Sequence, residues 1–180
     1  MANCSLNRNI LKDSSNCGYS LLKVIDVYLA NYSEITASLG EDGNEVTAIT
    51  MANSGKVYHI EPSKDSASFT DELQVTDGGA KYRTHTLNFS VDSGNYDKNM
   101  VDNVDGLSLG RYVAVAKLAN GVYVMLGRVT PLEATSANVS GAASASDSTA
   151  IQVVMTSDTT ETVLPLSSAA ITALLAAVAE

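Results

Sequence analysis

The stretch RTHTLNFSV, residues 83–91, alternates between two faces at every position. Leu87, Phe89 and Val91 fall on one side, and hydroxyl and amide side chains fall on the other. This period of two predicts a β-strand with one buried face. The strand contains no nucleophile with a partnering base and no cluster of metal ligands. The stretch therefore predicts a structural element rather than a catalytic site.

A second feature of the sequence predicts the clearest hairpin. The runs 111–118 and 122–129 are rich in valine, alanine and tyrosine, and Asn120-Gly121 joins them. Asn-Gly favours a two-residue type I′ turn, because both central residues of that turn need positive φ. We therefore expect two paired strands at this point.

Other segments repeat the strand pattern, and two carry a helical period. Further strands are predicted over 21–30, 45–51, 56–61, 66–75 and 81–91, and 132–141 is a less regular strand or a loop. Residues 149–156 are predicted to pair with 162–166 around the turn 157–160. Tyr96, Met100, Val104 and Leu107 predict a helix over 95–107, with Ser93 or Asn95 as its N-terminal cap. A second helix, over 168–179, begins after a serine cap at Ser167 or Ser168. The predicted fold is mainly β, a β-sandwich or barrel with one internal helix and a C-terminal helix.

Composition narrows the class of protein. The chain has 180 residues, with 20 acidic and 11 basic side chains and a net charge of −9. That balance argues against a protein that holds nucleic acid by neutralising phosphates. Residues 1–18 are polar and are interpreted as an N-terminal arm, and 19–180 as one β domain. The arm has no signal-peptide pattern, and no segment is long enough to span a bilayer, so cytoplasmic folding is expected.

No group of residues predicts catalysis, a cofactor or a metal. Cys4 and Cys17 are expected to be reduced thiols. The acidic turns 41–45 and 102–106 lack the ligand spacing of a calcium loop and are interpreted as solvated turns. His59 and His85 lie on predicted strands, and Asp71 and Glu72 point to opposite faces of one, so we expect a protein that is not an enzyme.

Two apolar surfaces are candidates for self-assembly. The first predicted strand alternates at every residue, with Leu22, Val24, Asp26 and Tyr28 on one face and Leu21, Lys23, Ile25, Val27 and Leu29 on the other. It is therefore apolar on both faces, which is typical of a central strand or an interface. The C-terminal helix carries almost no charge, so it either covers the sheet or is buried between copies. The candidate assembly residues are Leu21, Ile25, Val27 and Leu29 on the strand and Ile171, Leu174, Leu175 and Val178 on the helix.

An ordered set of segments resembles a known family. These are VYLANY (27–32), NEVTAIT (44–50), SASFTDEL (66–73), RTHTLNF (83–89), NGVYVMLG (120–127), LEATS (132–136) and SG (140–141). In this order they resemble the tail tube, or major tail, proteins of tailed phages of the Bacteroidetes-phage type. The resemblance extends over roughly residues 20–165, nearly the whole chain.

The resemblance implies a structural virion protein. Its subunits would form stacked hexameric rings around a channel, with inner strands facing DNA that passes through as cargo. The implied partners are copies of itself and other tail proteins, with no membrane and no cofactor. The implied location is the phage tail, after assembly in the host bacterial cytoplasm. The alternatives are another ring or connector component of a virion, or a ligand-binding β-sandwich such as a carbohydrate-binding module.

Overall fold

A computed structural model describes residues 23–52, 54–92, 98–141 and 150–179 of the chain. These residues form a mainly β fold with two helices, which confirms the predicted fold class. The bounds of the strands and helices are β1 Val24–Asn31, β2 Ile35–Leu39, β3 Val46–Met51, β4 Val57–Ile60, β5 Ser68–Val75, β6 Lys81–Asp92, α1 Lys98–Leu109, β7 Arg111–Leu118, β8 Tyr123–Leu126, β9 Leu132–Ser140, β10 Ala150–Thr159, β11 Leu164–Pro165 and α2 Ser168–Ala176.

Nine strands belong to one antiparallel sheet that divides into two halves at β7. The first half has the order β4-β1-β7-β8-β11, because β7 pairs with β1 along one edge and with β8 along the other. The second half has the order β9-β10-β6-β5. A short pairing of Arg111 and Tyr112 with Glu133 and Leu132 joins the halves.

The main core lies between the two halves. Alternate residues of β1, β7 and β8, such as Leu29, Ala114 and Leu126, meet Leu87 and Phe89 from the second half. All five are at most 1% exposed. Burying a leucine or phenylalanine side chain contributes roughly 1.5–3 kcal/mol. The period-two pattern that predicted β6 therefore aligns its apolar face with this core.

A second core covers the other face of the first half. Tyr28, Val115 and Met125 point away from the main core and contact the β2–β3 hairpin and α2. Val46 of the hairpin and Leu174 of the helix are 0% and 1% exposed. The apolar character of both faces of β1 is thus explained within the chain, since layers cover it on both sides.

The two predicted helices are confirmed, with shifted bounds. Helix α1 ends one residue before Gly110, whose N–H donates to the Gly106 carbonyl at 2.8 Å. A Cβ at Gly110 would overlap the Tyr112 ring, so this position requires glycine. Helix α2 is capped by Ser167, whose side chain accepts a hydrogen bond from the Ala170 N–H. The caps predicted at Ser93 and Asn95 lie outside the described residues.

The predicted turn at Asn120-Gly121 is in the right place but of the wrong type. The Leu118 N–H donates to the Val122 carbonyl, and the Leu118 carbonyl accepts from the Gly121 N–H. The loop between the paired residues therefore has three residues, 119–121. Gly121 alone has positive φ, at +85°. A type I′ turn would require the same of Asn120, and Asn120 instead accepts a hydrogen bond from the Val122 N–H through its side chain.

Two predictions about the strands are wrong, one about pairing and one about which residues share a face. The segment 162–166 does not pair with β10, because β6 pairs along the whole of one edge of β10 and β9 pairs with residues 150–156 along the other. Its strand β11 instead joins β8. The strict alternation predicted for β1 is also wrong, since a register shift between Val24 and Asp26 places Val24 in the main core with Val27.

Strand β2 was not predicted, and the irregular segment 132–141 is strand β9. The predicted domain boundary at residues 18–19 lies outside the described residues.

Candidate functional site

The predicted assembly residues occupy different environments. Val27, Leu29 and Leu174 are at most 1% exposed and belong to the chain's own cores. These three side chains are therefore not available to a second copy. Leu175 is 43% exposed.

The other predicted assembly residues have partial cover or lie outside the described part. Ile171 and Val178 are half-buried against the second core. Ile25 is half-buried at the register shift of β1. Leu21 lies outside the described residues.

An apolar surface that the sequence analysis did not single out lies at the end of the β5–β6 hairpin. Leu73 and Val75 are 55% and 58% exposed. Strand β10 ends at Thr159, opposite Arg83, so the hairpin extends beyond its neighbour. Among the described strands β5 pairs with β6 alone, and its outer edge is open. Open edges and exposed apolar side chains are typical of surfaces that bind another chain.

The outward face of the second half is polar. Its inward residues, such as His85, Leu87 and Met155, are buried, so the residues between them point away from the core. We call the outward residues of β5, β6 and β10, apart from the terminal pair Asp92 and Ala150, the polar face: Ser68, Thr70, Glu72, Gln74, Tyr82, Thr84, Thr86, Asn88, Ser90, Gln152, Val154, Thr156 and Asp158. It carries two carboxylates and no lysine or arginine. Hydrogen bonds such as Thr84 Oγ1 to Asp158 Oδ1 at 2.7 Å tie its side chains together.

A charged cluster lies on the inward side of the same strands. Arg83 Nε donates to Asp71 Oδ1 at 2.6 Å, and the Val163 N–H donates to Asp71 Oδ2 at 3.1 Å. Burial raises the pKa of the Asp71 carboxyl, but these hydrogen bonds and the nearby cations lower it below its ordinary value of 3.8. Glu72 points outward and is exposed, so the prediction that Asp71 and Glu72 face opposite ways is confirmed.

His85 lies beside this cluster, and neither ring nitrogen has a hydrogen bond of normal geometry, although the Glu161 backbone is close enough to raise its pKa. His85 is 2% exposed, and its Nε2 is 3.6 Å from Asp71 Oδ1, longer than a hydrogen bond. Burial lowers the pKa of the imidazole below its ordinary value of 6.5, despite the attraction of the Asp71 carboxylate. The ring is closed off from solvent, so it has no path to a substrate.

Two further ion pairs stabilise the ends of the first half. Arg128 forms a bidentate pair with Glu161, which raises the pKa of the guanidinium. Lys117 Nζ donates to Asp26 Oδ2 at 2.9 Å, and this contact raises the pKa of the ammonium group. His59 lies 3.1 Å from the other oxygen of Asp26.

A cleft of about 770 Å³ opens between the two halves, where α1 crosses them. We call it the α1 cleft. Its floor is apolar and includes the half-buried Ile60, Val91 and Leu107, which pack against the main core. Tyr112 forms one wall and holds the helix, because its hydroxyl donates to the Gly106 carbonyl at 2.6 Å.

Acidic side chains surround the α1 cleft. Glu61, Asp92 and Asp102 are exposed at its margin, and no lysine or arginine lines it in the described part of the chain. None of the three carboxylates forms an ion pair with another described residue. The cleft therefore combines an apolar floor with a negative margin.

The described residues contain no group of three or more His, Cys, Asp and Glu side chains that could hold a metal ion. The acidic segment 41–45 forms the turn between β2 and β3, and 102–106 lies within α1. In the same residues, no helix has the length and apolar character that crossing a membrane requires. No protein-family model matches the chain, and no curated protein matches it.

Proposed function

We propose that the chain is a structural subunit of a phage virion that assembles with copies of itself into stacked hexameric rings, the tail tube through which DNA passes. The observation that carries the proposal is the polar face. A conduit for DNA must stay hydrated without holding phosphates, and a face of hydroxyls, amides and two carboxylates meets both needs. The ring order of six rests on the resemblance of the sequence.

The open edge of β5 supports the self-assembly part of the proposal. A monomer whose eight-residue edge strand carries two exposed apolar side chains presents a surface that favours association. Contacts repeated from copy to copy would cover Leu73 and Val75, and a heterologous contact of this kind closes into a ring when the rotation permits.

Negative-stain microscopy of the purified full-length chain tests the proposal. We expect rings or tubes at high protein concentration. Rings that never stack would favour the alternative of a ring or connector component. A protein that stays monomeric at high concentration and is absent from virions would refute the proposal.

A paired variant tests the surface that assembly uses. Leu73→Ser combined with Val75→Ser should leave the free energy of unfolding within about 0.5 kcal/mol, because both side chains are largely exposed. The same variant should abolish rings. Leu109→Ser, at an 85% exposed position on α1, is the matched control and should assemble like the wild type.

A further inference from the structure

The α1 cleft sets clear requirements for an occupant. Its floor of Ile60, Val91 and Leu107, which are only half-buried, calls for apolar side chains. Its margin calls for positive charge, because the carboxylates at Asp92 and Asp102 lack ion-pair partners among the described residues. A short segment that combines leucine-like and basic residues meets both requirements.

The beginning of the same chain has this composition. The stretch LNRNILK, residues 6–12, contains three apolar side chains together with Arg8 and Lys12. Residues 1–22 contain two basic residues and one acidic residue, Asp13, a net charge of 2 − 1 = +1, in a chain whose total is −9. Opposite charges of this kind steer a segment toward its site.

The length of the chain allows the contact. Lys12 is eleven positions before Lys23, where the described residues begin, and that length spans at most about 36–40 Å when extended. Strand β1 covers about 23 Å between Val24 and Asn31, which lies at the cleft. A tether of this length gives an effective concentration that favours binding within one chain over binding between chains.

We propose that residues 6–12 bind in the α1 cleft of their own chain. Leu6, Ile10 and Leu11 contact the apolar floor, and Arg8 and Lys12 pair with carboxylates at the margin. The cleft is thereby an internal docking site for the N-terminal segment.

Cross-linking tests the proposal, because Cys4 is two positions before the segment. The full-length variant Cys17→Ser, Asn103→Cys has one thiol in the N-terminal segment and one on the margin of the cleft. A short bifunctional maleimide should link them, with the product running as a monomer on a denaturing gel and the 4–103 linkage identified by mass spectrometry. Cys17→Ser, Thr50→Cys, with the second thiol on the outer hairpin β2–β3, is the matched control and should not cross-link.

Charge reversal provides the second measurement. Adding Arg8→Glu and Lys12→Glu to the cross-linking variant should cause loss of the monomeric cross-linked product, while the unfolding transition stays cooperative. Cross-linked dimers in place of monomers would place a second copy's segment in the cleft and overturn the proposal. Absence of the 4–103 linkage in a folded variant, or a linkage that charge reversal leaves unchanged, would overturn it as well.

Discussion

At the scale of a single residue, Gly121 determines the backbone conformation of the loop between β7 and β8. Its φ of +85° is a conformation that a β-branched residue adopts only under strain. We expect Gly121→Val to lower the free energy of unfolding by about 1–3 kcal/mol, measured by denaturant titration. Gly78→Val is the matched control, because Gly78 has no positive φ and a Cβ there would meet only Thr76 Oγ1, at an ordinary contact distance of 3.9 Å, so it should change stability by about 0.5 kcal/mol or less. Equal losses in both variants would contradict the prediction.

His85 should make stability depend on pH. Its folded-state pKa is lowered below 6.5, so the unfolded chain binds the proton more readily than the folded chain. The corresponding stability is fully present above pH 6.5 and declines as the pH falls below that value. The charged groups facing the ring are Asp71, Arg83 and Glu161, and the Asp71 contribution declines only at lower pH, as pH falls below 3.8.

Substitution of His85 tests whether this side chain causes the pH dependence of stability. His85→Leu should keep or increase stability at neutral pH, because it removes two ring nitrogens that lack hydrogen bonds of normal geometry. It should also reduce the loss of stability that sets in as the pH falls below 6.5, measured by denaturant titration at each pH. His59→Gln removes the chain's other imidazole and is the control. If the stability of His85→Leu depends on pH as strongly as that of the wild type, His85 is not the cause of the pH dependence.

At the scale of elements, helix α2 gives neighbouring residues opposite roles. Leu174 is 1% exposed in the second core, whereas Leu175 is 43% exposed. Leu174→Ala should cost about 2–5 kcal/mol of unfolding free energy, and Leu175→Ala about 0.5 kcal/mol or less. Leu175→Asp should fold, and its assembly, followed by microscopy, then reports whether a second copy covers this position. Similar unfolding costs for the two alanine variants would contradict the assigned orientation of the helix.

The sequence predicted elements better than it predicted their partners. Alternation over 83–91, the serine before α2 and Asn120-Gly121 are local signals, and each placed its element correctly. The pairing of β10 with β6 and β9 depends on strands that are distant in sequence, so a turn-like 157–160 suggested a false hairpin.

The candidate site was less predictable than the fold. Whether the two-sided apolar β1 was a central strand or an interface depended on α2 and the β2–β3 hairpin, which cover it from a distance in sequence. The exposure of Leu73 and Val75 depends on where β10 ends. The alternation within one strand predicts neither the cover over β1 nor the exposure of Leu73 and Val75, because both depend on tertiary packing.

At the scale of the whole molecule, the charge distribution distinguishes the polar face from the rest of the surface. The nine basic residues in the described ranges all lie off this face, although the chain as a whole has eleven. Arg83 and Lys81 are on β6 but share the inward side with His85. A chain that excludes cations from one broad face is suited to have phosphates pass along that face.

Adding lysines to the polar face should make the proposed conduit wall bind DNA. Thr86 lies opposite Thr70 and Thr156, and Asn88 is the next outward residue on β6. Thr86→Lys with Asn88→Lys should leave ring formation intact, because both positions point away from the core. Assembled tubes of this variant should bind short duplex DNA at low salt and release it as salt rises, since phosphate contacts displace counterions.

Nuclease protection locates the bound DNA. Duplex held inside a tube of the lysine variant should resist digestion, whereas duplex bound to an outer surface should be degraded. Ala48→Lys with Thr50→Lys adds the same charge to the β2–β3 hairpin and is the matched control, so any DNA it binds should be digested. If both variants bind DNA that is equally open to nuclease, the polar face lies on the outside of the assembly, and the DNA conduit must be formed by another surface.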